Sequence, residues 1–392
     1  MARMKIAVPK ERAVGERRVA LVPEIVAKFV KAGHTVVVER GAGTSAGYTD
    51  AAYESAGATV APNTRVAYAE ADAVVRVAKP SDAELDGIPR GAALIGFLSP
   101  LGDPRSVERY ATRGITALSM DAIPRTTKAQ AMDALSSQAN IGGYKGALLA
   151  ASYLPKFFPM LTTAAGTIPP AKALIIGAGV AGLQAIATCR RLGAVVTAYD
   201  TRAVVAEQVK SLGAKFLEID VGESGEGQGG YAKELSPEAI AKQRAGMVKA
   251  IGASDVVITT AAIPGKRAPI LVTAEAVAAM APGSVIVDLA AETGGNVEGT
   301  QPGEVVTSEN GVTIVGLLNL PSTLAYDASR LYARNVQALL DYITKDGALA
   351  LDPNDEIVAG TTITRDGEIV HEATRTALSG DRVNATTPGG AA

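Results

Sequence analysis

The sequence is poor in the residues that most often carry catalysis. It has one cysteine and two histidines in 392 residues. A lone Cys189 cannot close an internal disulfide, which points to a reducing compartment. Its place inside an apolar helical run reads as a buried thiol. His34 precedes a strand and His371 lies near the C-terminus. Neither sits in a motif, so no metal-ligand spacing and no nucleophilic triad can be drawn from them. No G-x-x-x-x-G-K-S/T occurs, which excludes a Walker-type phosphate loop. Lys and Arg number 38 against 40 Asp and Glu, a formal net charge of −2, so there is no basic excess to hold nucleic acid. No run of about 18 uncharged apolar residues is present, and direct membrane insertion is not expected. Met1–Lys10 lacks the apolar core of a signal segment, and no solenoid period recurs. What remains is an ordinary soluble composition, 47% hydrophobic, long enough for two domains with substantial cores.

What is there centres on Lys172–Asp200, KALIIGAGVAGLQAIATCRRLGAVVTAYD. Lys172–Ile176 reads as a short strand. Gly177, Gly179 and Gly182 give G-x-G-x-x-G, Val180–Leu192 has helical apolar spacing, and Gly193 stops that helix. Ala194–Ala198 reads as a second strand, with Asp200 at its end. Each part suits a dinucleotide. Gly177 permits the turn, Gly179 lets backbone approach a pyrophosphate, and Gly182 lets helix and strand pack closely. The helix N-terminus offers free N–H groups and a positive dipole end to the phosphates. A carboxylate about 20 residues on accepts from the adenosine ribose. Asp200 holds that place and would repel a 2′-phosphate, which favours NAD(H) over NADP(H).

Around this unit the chain alternates strands and helices. Lys5–Val8, Thr35–Glu39, Ala73–Val77, Ala92–Phe97 and Ile115–Ser119 read as strands, with helices at Pro23–Lys31, Asp50–Ala56 and Pro104–Arg113. The alternation implies a mostly parallel sheet covered on both faces. Thr126–Leu154 reads as a long helix joining two domains, with a break at Gly142-Gly143. On it Gln130, Asp133, Ser137 and Asn140 form one polar stripe opposite Met132, Leu135 and Ala139. A solvated face and a ligand-reading face both account for that stripe. Val221–Gly230, with five glycines and two glutamates, is either a neutral insertion or a flap, and Gln228-Gly229-Gly230-Tyr231 favours the flap. Asp255–Thr260, Ser284–Leu289 and Thr313–Val315 read as later strands whose following loops, Ala261–Gly265 among them, line a cofactor crevice. Tyr326–Tyr342 is a long helix, Glu356–Thr364 and Glu368–Val370 a hairpin, and the polar tail from Ser379 is read as disordered.

The opening KIAVPKERAVGERRVALVPE, with Gly41-Ala42-Gly43, resembles the alanine dehydrogenase and proton-translocating transhydrogenase group. Ile123-Pro124-Arg125, Ala129-Gln130, Met132-Asp133, Leu135-Ser136-Ser137-Gln138, Met160–Pro170, Gly229–Glu234 and Thr259–Pro269 resemble the transhydrogenase branch. The likeness runs from residue 4 to about 371. In alanine dehydrogenase a lysine and a histidine hold and protonate a keto acid. A gapless local reading puts Arg76 and Ser99 at those two positions, although Lys79 could substitute.

The resemblance implies two Rossmann-like α/β domains with mostly parallel sheets, joined by long helices, with the cofactor in a cleft between them. Residues 1–135 with 330–392 would form one domain and 136–329 the NAD(H)-binding one. It implies that Arg125, Gln130, Asp133 and Ser136 bind the nicotinamide end. Gly177, Ala178, Gly179, Val180 and Gly182 would form the phosphate turn, with Asp200 on the ribose and Arg202 beside the adenosine. Gln228, Tyr231 and Ala262 complete the set, Tyr231 closing the mobile loop. No metal is implied. The implied activity is hydride transfer between NADH here and NADP+ on a partner, as in a Si-specific/Re-specific, proton-translocating NAD(P) transhydrogenase. The implied partners are NADP(H)-binding and membrane-spanning subunits and a second copy of the chain. The implied location is the cytoplasmic face of the inner membrane, held there through those partners. Alternatives are an alanine dehydrogenase-like amino-acid dehydrogenase and a non-catalytic NAD-binding module.

Overall fold

The computed structural model describes residues 3–219, 236–263 and 265–386. The chain divides into two compact units, Met1–Gln138 with Ser322–Ala392, and Ala139–Pro321. Both are mixed α/β with mostly parallel sheets.

The first unit carries an 8-stranded sheet. Its order across the sheet is Glu368–Ile369, Thr362–Arg365, Thr116–Ser119, Ala93–Phe97, Ala73–Ala78, Lys5–Val8, Thr35–Glu39 and Thr59–Ala61. The last six are parallel, and the two C-terminal strands are antiparallel. Its core strands read as near-continuous apolar runs because both faces are covered: Ile6, Ala7, Val8, Val74, Val75, Leu94 and Ile95 are fully buried. One face packs on Pro23–Lys31 and Ala325–Ile343, whose Tyr332, Val336 and Leu339 are buried with Ile25 and Phe29.

The second unit carries a 7-stranded sheet in the order Lys215–Phe216, Val195–Tyr199, Lys172–Ile176, Val256–Thr259, Val285–Asp288, Thr313–Val315 and Val305–Thr307. All but the edge strand Val305–Thr307 are parallel. This is a doubly wound sheet, and its winding reverses between Lys172–Ile176 and Val256–Thr259. Such sheets bind ligands at that switch point, beyond the strands' carboxyl ends.

Several expectations need correction. Thr126–Leu154 is not one helix broken at Gly142-Gly143. A 3-10 turn, Thr127–Met132, precedes an unbroken helix, Ala134–Tyr153. The break falls at Asp133, whose carboxylate accepts from the Ser136 N–H and hydroxyl at 2.8 and 2.5 Å and so starts a new helix. Gly143 serves packing instead: a Cβ there would lie 2.0 Å from the Ala181 carbonyl oxygen, whereas one on Gly142 would meet nothing within 4 Å. The polar stripe dissolves with the change of helix type. Ser137 donates to Asn335 at 2.7 Å, Asn140 donates to Gln184 at 3.2 Å, and Leu135, assigned to the opposite face, is exposed. Glu356–Thr361 is a helix, because Asp355 caps it through the Ile357 and Val358 N–H groups. Only Thr362–Arg365 and Glu368–Ile369 make the hairpin. The chain is helical from Glu372 to Thr386, anchored by buried Thr374 and Leu378, which corrects the reading of the tail from Ser379 to Thr386; residues 387–392 lie outside the described residues. The proposed flap, Gln228 and Tyr231 included, lies outside the described residues.

Candidate functional site

Strand Lys172–Ile176 ends at Gly177, whose φ of +98° only glycine adopts without strain. Thr260, at the end of the neighbouring strand, donates its hydroxyl to the Gly177 carbonyl at 3.2 Å. A Cβ on Gly177 would meet that hydroxyl at 2.4 Å, and a Cβ on Gly182 would lie 1.8 Å from the Gly177 oxygen. Both glycines are therefore required by the protein's own packing. Gly179 is different. Its φ is −77°, and a Cβ there would meet nothing within 4 Å. Space is open above the N-terminus of helix Val180–Arg191. Among the described residues, the N–H groups of Gly179, Val180, Ala181 and Gly182 find no protein acceptor. Open space, free donors and a positive dipole end fit a pyrophosphate.

Asp200 stands at the lip of this turn. Its carboxylate accepts from the Ala178 N–H at 2.8 Å and is chelated by Arg202, at 2.9 Å from Nε and 3.0 Å from an Nη. Burial pushes its pKa up, but the guanidinium and the Ala178 and Arg202 N–H groups outweigh that and hold it below the usual carboxylate value. The acid is thus charged and oriented before any ligand arrives. The Arg202 side chain is half-exposed and can yield its place to a ribose. Ala262 is exposed on the segment after Val256–Thr259. The structure so gathers Gly177, Ala178, Gly179, Val180, Gly182, Asp200 and Arg202 around one turn.

Arg125, Gln130, Asp133 and Ser136 lie in the first unit. Arg125 is exposed on the stretch after Thr116–Ser119, and Gln130 is exposed on the 3-10 turn. That turn is anchored by buried Ala129 and Met132. Asp133 and Ser136 bind each other as the cap described above, which fixes their orientation but engages both carboxylate oxygens.

The first unit winds like the second, and its own switch point falls between Lys5–Val8 and Ala73–Ala78. There the chain has filled the crevice itself. Arg76, fully buried, pairs with Glu84 at 2.9 Å and Glu11 at 3.3 Å. Glu11 also accepts from the Val77 N–H at 2.6 Å. Burial drives the Glu11 carboxyl upward despite Arg76. Glu39, the strand-end acid that parallels Asp200, is taken by Arg12, the Lys10 N–H and Thr64. The open glycine turn belongs to the second unit. Sequence reading missed this cage because its members are scattered from residue 11 to residue 84. It also missed Thr260, although its position at a strand's carboxyl end was a usable signal.

A doubly wound sheet with an open glycine turn and an acid at the end of the second strand defines a Rossmann-type dinucleotide fold. Comparison with known proteins narrows this. The alanine dehydrogenase/PNT N-terminal domain matches residues 7–142 and the C-terminal domain matches residues 146–372. The chain belongs to the alanine dehydrogenase/PNT family. It is 49% identical over 380 residues to a chain named as a part of NAD(P) transhydrogenase subunit alpha from Rhodospirillum rubrum, covering 94% of this chain and 98% of that one. The crystal structure of transhydrogenase from Sinorhizobium meliloti matches with a TM-score of 0.85 and 45% identity, over 93% of this chain and 99% of that one. An L-alanine dehydrogenase structure matches at 0.81 and 28%, over 96% and 99%.

Proposed function

We propose that the chain is a transhydrogenase component that binds NAD(H) and exchanges hydride with NADP(H) held by a partner subunit. The carrying observation is the open, donor-lined turn at Gly179 with a charged Asp200 at its lip, in a chain 49% identical to a transhydrogenase alpha-subunit chain. The helix N-terminus would take the pyrophosphate and Asp200 a ribose hydroxyl, while its charge disfavours a 2′-phosphate. By the resemblance, Arg125, Gln130, Asp133 and Ser136 hold the nicotinamide end, with Gln130 setting the ring toward the partner's nucleotide. NAD(H) supplies the hydride chemistry. The chain's contribution is to orient the ring and exclude water, and no protein nucleophile or proton donor is needed. Membrane-spanning subunits and proton translocation belong to the complex, since no described helix is long and apolar enough to cross a membrane. A homodimer at the cytoplasmic face completes the reading.

The likeness to alanine dehydrogenase supports a second reading, reduction of a keto acid. Arg76 counts against it, because it is locked in an ion-pair cage with no exposed surface. Ser99 has its N–H donated to Asp121 at 2.9 Å and carries no imidazole. Assaying NADH oxidation with pyruvate and ammonium, and separately with NADP+ and the NADP(H)-binding subunit, decides between them. Turnover only in the second mixture is expected. Turnover in the first overturns the proposal, and NADH binding without turnover in either favours a non-catalytic module.

A further inference from the structure

Gly294, Gly295 and Asn296 follow the strand Val285–Asp288, and the dinucleotide reading gives them no task. Asn296 is completely buried. Its side chain closes a two-point contact with one residue: Oδ1 accepts from the Ala261 N–H at 3.0 Å, and Nδ2 donates to the Ala261 carbonyl at 2.9 Å. The second Nδ2 hydrogen donates to the Pro269 carbonyl at 2.8 Å. One carboxamide therefore grips both ends of the segment between residues 261 and 269. Ala261 directly follows Thr260, whose hydroxyl holds the Gly177 carbonyl, so the grip reaches the phosphate turn through a single peptide bond.

Asn296 is itself fixed from behind. Asp288 accepts from the Asn296 N–H at 2.8 Å and the Val297 N–H at 3.2 Å. It also accepts from Ala290 N–H, Thr259 hydroxyl and Thr300 hydroxyl at 3.0, 3.1 and 2.7 Å. These five donors are all neutral and saturate a buried carboxylate, which makes it a rigid anchor. The preceding glycines are what the approach demands. Gly294 and Gly295 have φ of +99° and +81°, and a Cβ on Gly295 would lie 2.7 Å from an Asp288 oxygen.

We propose that Asn296, anchored by Asp288, is the positioning residue of the NAD(H) site. It sets Ala261, Pro269 and the Thr260-to-Gly177 bond in place before the nucleotide binds. This rests on the reading that the Gly177–Gly182 turn takes NAD(H). The test uses the full chain, with NADH titration, thermal melting and amide exchange. In the unsubstituted protein the Ala261 amide is protected, as is the Ala268 amide, which donates to the Thr293 carbonyl at 2.8 Å, and the amides of Ala262 and Ile263 exchange faster. Asn296→Asp keeps an acceptor for Ala261 but loses both donations, and Asn296→Ser serves if that variant does not fold. Either is expected to weaken NADH binding about tenfold, by loss of at least two buried hydrogen bonds, while accelerating exchange at Ala261, Ala262 and Ile263. A lower melting temperature with unchanged NADH affinity would make Asn296 merely structural and overturn the proposal. So would a freely exchanging Ala261 amide in the unsubstituted chain. Failure of that unsubstituted chain to bind NADH would instead sink the dinucleotide reading.

Discussion

Replacing Asp200 is the sharpest way to perturb the proposed NAD(H) site, and the structure allows the effect to be sized. In the free protein the carboxylate is chelated by Arg202 and held by Ala178. A ribose hydroxyl donating to this charged acceptor contributes about 1.5–3 kcal/mol. To receive it, Asp200 must loosen its pair with a half-exposed Arg202, which costs at most about 1 kcal/mol. Asp200→Ala removes both terms, so binding should weaken by about 0.5–3 kcal/mol, roughly twofold to 150-fold in Kd. Asp200→Asn separates charge from geometry. Its amide oxygen can still accept from the Ala178 N–H, so the turn stays formed while the repulsion of a 2′-phosphate is lost. NADPH binding should rise as NADH binding falls. Fluorescence titration of the full chain with each nucleotide reads both numbers. NADH affinity within about twofold of the unsubstituted protein for Asp200→Ala would refute the reasoning, since about 0.4 kcal/mol is too small for a charged ribose contact.

The two glycines of the turn should behave oppositely. Gly179→Ala should leave the melting temperature nearly unchanged, because the methyl enters open space, yet weaken NADH binding by occupying the phosphate's place. Gly182→Ala should destabilise the second unit by about 3 kcal/mol or prevent its folding, since the Cβ would sit 1.8 Å from the Gly177 oxygen; denaturant melts distinguish the pair. Gln130→Asn is expected to leave NADH affinity nearly intact but slow hydride exchange, as read by stopped-flow with the partner subunit, because only ring placement changes. His371 predicts a pH effect on stability. Burial lowers its pKa below 6.5, against Asp121, so the folded state holds the proton more weakly than the unfolded. Its neutral form stabilises fully above about pH 6.5, and that stability is lost as pH falls toward the folded value. His371→Gln should therefore lose less melting temperature than the natural chain between about pH 7.5 and 5.5.

The strand–glycine turn–helix unit was legible because its determinants are local. Gly177, Gly179 and Gly182 fall within six residues, and Asp200 follows at the end of the next strand. Periodicity located most strands for the same reason. The reading failed where tertiary contacts override local pattern. The Gly142-Gly143 pair looks like a helix break, but the helix runs through it and uses Gly143 to pass close to the Ala181 carbonyl. The stripe from Gln130 to Asn140 assumed one helix type, and the cap at Asp133 resets the phase. Glu356–Thr361 has strand-like apolar content, yet Asp355 caps it into a helix. The Asp288 and Asn296 grip and the Glu11–Arg76–Glu84 cage were invisible because their partners are far apart in sequence and gain meaning only when the sheets assemble.

The most direct test of a transhydrogenase component is to mix this chain, loaded with NADH, with an NADP(H)-binding subunit carrying an NADP+ analogue of distinct absorbance, and follow both nucleotides in stopped-flow. The account predicts a fast burst in which one nucleotide is oxidised as the other is reduced, in equal amounts and without release to solvent. Absence of any burst while both proteins hold their nucleotides would contradict it.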